Sequence, residues 1–324
     1  MVKLFLTFDC EDFISPSSTN ALNHALELLK KYDFRAIFFL TGSVCENLWN
    51  FPNIVDLLAD HEVGYHSTAH SVHPAICEYT DIADYDEAVR ISLNRETERI
   101  NPLTGEPEGR GGLLLVRDLF PKKKIVAFRA PGFCWSPPHM EALEKLGTKF
   151  DFSTDLSTIP IHYREITFYP LAEGGYGLGL LAFSLFRSLL RLRQGFFRLN
   201  SQYSVLLFHP ESFVHRVFWD TIYYSGNPER LCGVPRKSDR EIDRSLRKFE
   251  LFLSRVRFLK KDGVLEIAPS LQEGIPKNHF TKEEVIRSYR RSIYWAERFF
   301  AYKPRFLLKH FFRYFNIESW QTEI

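Results

Sequence analysis

Strand-length apolar runs alternate with segments of helical period along this chain, and several of the runs stop at acids, histidines or an arginine. Lys3 to Phe8 leads straight into Asp9-Cys10-Glu11-Asp12. Ala21, Leu22, Ala25, Leu26, Leu28 and Leu29 then fall at helical spacing before Tyr32, and Arg35 to Leu40 reads as a second strand. Strand, helix, strand is a βαβ unit, and the alternation goes on. Helices are predicted near Ile54 to Asp60, Asp84 to Ile100 and Pro138 to Leu146, with strands at Glu62 to Tyr65, Ile125 to Phe128, Phe150 to Ser153 and Val205 to Phe208. Repeated units of this length specify an α/β chain folded as a (β/α) barrel, distorted or incomplete, with its chemistry at the C-terminal ends of the strands.

Residues 1–275 read as one barrel domain with an insertion at about 174–200, opened by the glycine-rich Glu173 to Gly179 and continued by Phe, Leu and Arg to Asn200. An amphipathic helix is predicted over Asp239 to Arg255, and residues 276–324 read as a helical tail outside the barrel. A formal net charge of +2 gives no long-range attraction to nucleic acid, so nucleic acid is not expected as a partner. The five cysteines are scattered and never spaced as C-x-x-C, which argues against a disulfide framework and a thiolate zinc site. With an N-terminus that lacks the features of a signal peptide, this points to reduced thiols and a cytoplasmic protein. No apolar run reaches the ~18 residues of a spanning helix. The Phe- and Leu-rich tail carries Arg298, Arg305, Lys309 and Arg313, however, a composition that suits peripheral contact with the cytoplasmic membrane face.

Three carboxylates within four residues at a strand end repel one another unless a cation or a proton relieves them. His66-Ser67-Thr68-Ala69-His70 offers two imidazoles at i and i+4, neighbours on a helical face and able to reach one ion roughly 2 Å away. The motif directly follows a predicted strand and therefore shares the barrel end with the acids. His73 fits that face less well and reads as structural. Phe128-Arg129-Ala130-Pro131-Gly132 closes another strand with an arginine before a Pro-Gly turn. Leu207-Phe208-His209-Pro210-Glu211 closes a later one with a histidine that the following proline holds extended. Each of these has a bland alternative as well: a solvated acidic turn, a surface histidine pair, a salt-bridged arginine, a structural histidine.

In order, the acidic T-F-D motif, H-[ST]-x-x-H, R-x-P, D-x-S and the leucine-rich strand ending His-Pro resemble the polysaccharide deacetylase (NodB-homology, carbohydrate esterase family 4) family over about residues 1 to 215. The form of the first motif is similar to the branch holding peptidoglycan deacetylases and allantoinase-like relatives. The resemblance implies Asp9 as catalytic base, His66 and His70 as metal ligands, Arg129 as the residue orienting the base, His209 as general acid and the Gly132 backbone N–H as oxyanion donor. It implies a carboxylate third ligand, for which Glu11 is favoured and Asp12 is the alternate. Asp9 and Glu11 share one face of a strand, with Cys10 on the other. Asp151 of Asp151-Phe152-Ser153 matches the aspartate that supports the acid histidine, while Leu156 stands where the family has a tryptophan, which leaves the shape of the substrate groove open.

The expectation is therefore a metal-dependent hydrolase that removes N-acetyl or another acyl group from a lipid-linked or polymeric carbohydrate by cleaving a linear amide. Nitrogen-rich ligation favours zinc, with cobalt or nickel as substitutes and magnesium disfavoured. The alternatives are an allantoinase-like or other non-sugar amidase on the same fold, and an inactive glycan-binding protein.

Overall fold

The computed structural model describes residues 2–70, 82–100, 106–154, 159–171, 203–219, 234–267, 271, 278–289 and 320. His73, the insertion at about 174–200 and most of the tail lie outside the described residues. The elements in chain order are β1 (Val2–Cys10), α1 (Pro16–Tyr32), β2 (Ile37–Leu40), α2 (Gly42–Leu48), α3 (Pro52–Ala59), β3 (Glu62–Tyr65), α4 (Tyr85–Thr97), β4 (Glu98–Ile100) and β5 (Pro107–Arg110). There follow α5 (Gly112–Leu119), β6 (Ala127–Phe128), α6 (Pro137–Lys145), β7 (Phe150–Thr154), β8 (Ile161–Tyr163), β9 (Ile166–Pro170), β10 (Tyr203–Phe208), α7 (Asp239–Lys261) and β11 (Leu265–Ile267).

Strand alternation organises the core. Along β1, Leu4, Leu6, Phe8 and Cys10 join the apolar layer under the helices, where they meet Leu22, Leu26 and Leu29 of α1 and Phe249, Phe252 and Leu253 of α7. Phe5 faces the other way, into a second cluster with Ile37, Phe39, Phe150, Phe152, Tyr169 and Val205. That cluster is the barrel lumen. Its rings meet edge-on, tilted or stacked, as in Phe5–Phe152 at 5.7 Å, Phe39–Phe152 at 5.3 Å and Phe152–Tyr169 at 5.1 Å, so the lumen is filled and is not a channel.

β1, β2, β3, β6, β7, β9 and β10 run parallel. The sheet order is β10-β1-β2-β3-β6-β7-β9-β8, and Leu171, just past β9, makes a parallel bridge to Val205 of β10. The sheet thus curls into the distorted (β/α) barrel expected from the sequence, with closure among the described residues resting on that bridge. β1 is flanked by β10 on one side, and on the other by β2 along Thr7 to Cys10 and β11 along Val2 to Leu4.

Several short elements depart from the predicted pattern. The helix expected to reach Ile100 ends at Thr97, and Glu98–Ile100 pairs with β5 as an antiparallel ribbon. α2 and α5 are too brief to show a helical period, and tertiary packing forms them. The described part of the tail packs on the barrel's outer layer. Phe280 lies 5.5 Å from Phe168, while Tyr289 and Trp320 cluster with Tyr85, Ala88, Val89 and Ala142, and Trp320 Nε1 donates to the Ala83 carbonyl at 3.1 Å. Among the described residues no helix is long and apolar enough to cross a membrane.

Candidate metal centre

Every parallel strand that carries a motif delivers it at the same end of the barrel, because the strands share a direction and each motif sits at or just after a strand terminus. Asp9 is the penultimate residue of β1 and Glu11 follows that strand, His66 follows β3, Arg129 follows β6, Asp151 lies in β7 and His209 follows β10. All are buried except His209, which is 14% exposed at its side chain.

Glu11 Oε2 sits between two imidazoles, 3.3 Å from His66 Nε2 and 3.1 Å from His70 Nε2. Ligand atoms around a tetrahedral ion bound at about 2.0–2.1 Å stand roughly 3.3 Å apart, so the spacing fits a cation shared by these three groups. His66 Nδ1 lies 2.7 Å from the Arg129 carbonyl, which can only accept, so Nδ1 carries a proton and Nε2 is the nitrogen left to turn a lone pair on a cation beside Glu11. Glu11, His66 and His70 can therefore hold a metal ion. Burial works against the Glu11 carboxylate, yet the facing His70, His66 and His209 outweigh it and hold its pKa at about 2. Ionised and buried, it is set up to meet a cation.

Asp12, the alternate ligand, is turned into a different network. It accepts from Ser18 Oγ at 2.5 Å and from the backbone N–H groups of Ile14 and Ser15 at 2.9 and 3.1 Å, and it faces His215 Nε2 at 3.1 Å. These bonds fasten the acidic loop to α1 and to the segment after β10.

Asp9 stands beside the ligands without joining them. Arg129 Nη1 donates to Asp9 Oδ1 at 2.8 Å, and Asp9 Oδ2 is 3.9 Å from both His66 Nε2 and His209 Nε2. Arg129 is itself held by its Nε bond to the Phe152 carbonyl at 3.1 Å and by the Phe39 ring, 4.5 Å from the guanidinium carbon. The charge thus caps the aromatic lumen. Among the described residues no hydrogen bond or ion pair joins Asp151 to His209, the acid histidine that the resemblance has it support. Its carboxylate accepts from Ser153 N at 2.6 Å and Ser153 Oγ at 3.1 Å, while Ser153 Oγ receives the Ala130 N–H at 2.8 Å. Asp151 therefore braces the turn after Arg129, and burial raises its pKa to about 7. Gly132 lies in that turn with φ 58, a left-handed conformation that favours glycine.

The H-x-x-x-H segment is not helical. His66 to His70 form an irregular turn in which Ser67 has φ 62, and this turn, not a helical face, brings the two imidazoles to Glu11. It is held by backbone bonds from the start of α2, Gly42 N to Ser67 O at 3.1 Å and Ser43 N to Thr68 O at 3.0 Å, and by Gly112 N to Thr68 Oγ1 at 3.0 Å. Gly112 approaches so closely that a Cβ there would lie 2.4 Å from Thr68 Cα. Beneath the turn, buried Glu96 of α4 accepts from the Tyr65 hydroxyl and from Ser67 Oγ at 3.2 Å, and faces His139 Nε2 at 2.7 Å.

Sequence reasoning passed over Glu96 and Glu211. Glu96 is polar in an amphipathic helix, and nothing in its neighbours marks it as buried. Glu211 stands in His209-Pro210-Glu211, where its neighbours in sequence give it no role. It is buried, and that burial, with Glu11, Asp12 and Asp9 nearby, pushes its carboxyl well above the usual range. A second group of ligand atoms, from Glu11, His209 and Glu211, lies within 4.8 Å.

The polysaccharide deacetylase family model matches residues 2–110, a stretch that holds Asp9, Glu11, His66 and His70. Solved structures similar to this chain include the polysaccharide deacetylase from Bacillus cereus, 16% identical over 86% of this chain and 97% of that one with a TM-score of 0.42. The catalytic domain of peptidoglycan N-acetylglucosamine deacetylase from Eubacterium rectale is 14% identical over 86% and 92%, with a TM-score of 0.39. A CE4 family pseudoenzyme from Bacillus anthracis is 14% identical over 87% and 65%, with a TM-score of 0.40. No curated protein matches the sequence.

Proposed function

The chain resembles the polysaccharide deacetylase family over residues 2–110, and on that premise we propose that it is a metal-dependent hydrolase removing an N-acetyl group from a carbohydrate. The observation that carries the reading is Glu11 Oε2 set between His66 and His70 beside an Asp9 that Arg129 holds. A divalent ion at Glu11, His66 and His70, best zinc and otherwise cobalt or nickel, supplies Lewis acidity to the acyl carbonyl. Asp9 is the base. Its Oδ1 is occupied by Arg129, so Oδ2 accepts the proton of the attacking water. The Gly132 N–H is the donor assigned to the developing oxyanion. His209 delivers a proton to the departing amine. Burial lowers its pKa, a shift that Glu11 and Asp9 only partly offset, so its imidazole enters the reaction neutral and receives the proton that Asp9 has taken up.

The described thiols of Cys10, Cys45 and Cys134 are buried and form no disulfide among the described residues, which supports placement in a reducing cytoplasm. A lipid-linked N-acetylated sugar at the inner membrane face suits the arginine- and phenylalanine-rich tail. Acetate release from N-acetylglucosamine-containing oligosaccharides and lipid-linked sugars, measured before and after chelation, tests the reading. Chelator-sensitive release is the expected result. Release that is indifferent to chelation removes the metal role, and hydrolysis of small ureides or amides in place of any sugar moves the chain to the amidase alternative.

A further inference from the structure

The two oxygens of Glu11 face different groups. Oε2 faces His66 and His70, while Oε1 is buried without a hydrogen bond and lies 3.7 Å from His209 Nε2. Glu211 also keeps its Oε1 buried without a hydrogen bond, and its residue is only 2% exposed. Ligand atoms of Glu11, His209 and Glu211 all fall within 4.8 Å of one another. A buried carboxylate oxygen without a donor is costly, and two carboxylates this close repel unless a proton or a cation relieves them. An ion placed between them and the imidazole relieves both costs.

We propose that Glu11, His209 and Glu211 form a second divalent-cation site, joined to the Glu11–His66–His70 site by Glu11 as a shared carboxylate. The donor set of one imidazole and two carboxylates is harder than that of the first site, so it takes zinc less selectively and accepts manganese more readily. The inference rests on the proposed function only through Glu11. It also carries a regulatory consequence. An ion on His209 Nε2 occupies the lone pair that must receive a proton, so filling this site switches the acid off, and excess metal inhibits.

The experiment is a titration of the metal-free full chain with Zn²⁺ and with Mn²⁺, read by native mass spectrometry and calorimetry. Wild type should bind two ions. Glu211→Gln and, as a second variant at a partly exposed position, His209→Gln should each bind one, and His66→Ala/His70→Ala should retain one at the second site. One ion in wild type that survives Glu211→Gln but not His66→Ala/His70→Ala overturns the second site and leaves the first intact. One ion lost with Glu211→Gln and kept in the double histidine variant overturns the first site and supports this one. Two ions retained by both Glu211→Gln and His209→Gln overturn the proposed ligand set, and no binding by wild type overturns both sites.

Discussion

Replacing Arg129 with methionine removes a buried charge whose partner stays behind. Arg129 is fully buried and Asp9 is 3% exposed, with 2.8 Å between Nη1 and Oδ1. Charges about 4 Å apart attract by about 4 kcal/mol at the effective dielectric that suits protein sites. Breaking a buried pair from one side is known to cost about 3–5 kcal/mol, because it leaves an uncompensated ion. The Phe152 carbonyl also loses a donor, at about 1 kcal/mol. Arg129→Met should therefore destabilise the metal-free protein by about 3–5 kcal/mol. Methionine keeps the long apolar stem against Phe39, so little of that loss comes from a cavity. The decisive measurement is a double-mutant cycle with Asp9→Asn, by urea unfolding at neutral pH. If the pair is the cause, the double variant costs no more than either single one, a coupling of about 3 kcal/mol. Costs that add to within about 0.5 kcal/mol would refute the reasoning, since independent sites behave that way.

Two further outcomes follow from the site. Asp9→Asn should abolish acetate release yet keep the ion, whereas Glu11→Gln should lose both, by metal analysis beside turnover; the reverse pattern would exchange base and ligand. Asp151 has a folded-state pKa raised from 3.8 to about 7 by burial, so its contribution to stability is full below about 3.8 and is lost as pH rises toward about 7. Asp151→Asn lacks that loss, and the stability difference should move in the variant's favour across this window; a difference that stays level with pH would mean that Asp151 is ionised throughout.

The parts of this molecule legible in the sequence are those with a local period. Glu62–Tyr65 is bounded as predicted, and the strands that deliver Asp9, His66, Arg129 and His209 were found because a run of apolar residues ends in a polar one. The exchange of alternate residues between lumen and helix layer was also readable, since Asp9 and Cys10 must point to opposite faces. What escaped depends on contacts distant in the chain. The turn at His66 to His70 takes its shape from Gly42, Gly112 and Glu96, none of which lies beside it in sequence. Strand alternation favours Glu11 over Asp12, but that His215, together with Ser18, claims Asp12 depends on a residue far along the chain. Asp151 sits in a recognisable motif, yet its partner is the Ser153 two residues on, so the motif marked its position and not what it touches.

The place of β1 at the centre of the closure has a consequence for synthesis. The strand is made first, but β10 and β11, which flank it, are made only after residue 203 and residue 265. At about 5–20 residues per second, the ribosome needs roughly 10–50 s to supply them. Until β10 is made the edge of β1 lacks both neighbours, and until residue 267 it still lacks β11. Long-range parallel pairing of this kind is slow to form and prone to aggregate while incomplete. A nascent chain released between residues 209 and 267 therefore carries Asp9, Glu11, His66, His70 and His209 with no complete barrel to hold them, and such fragments should accumulate with chaperones or in the insoluble fraction.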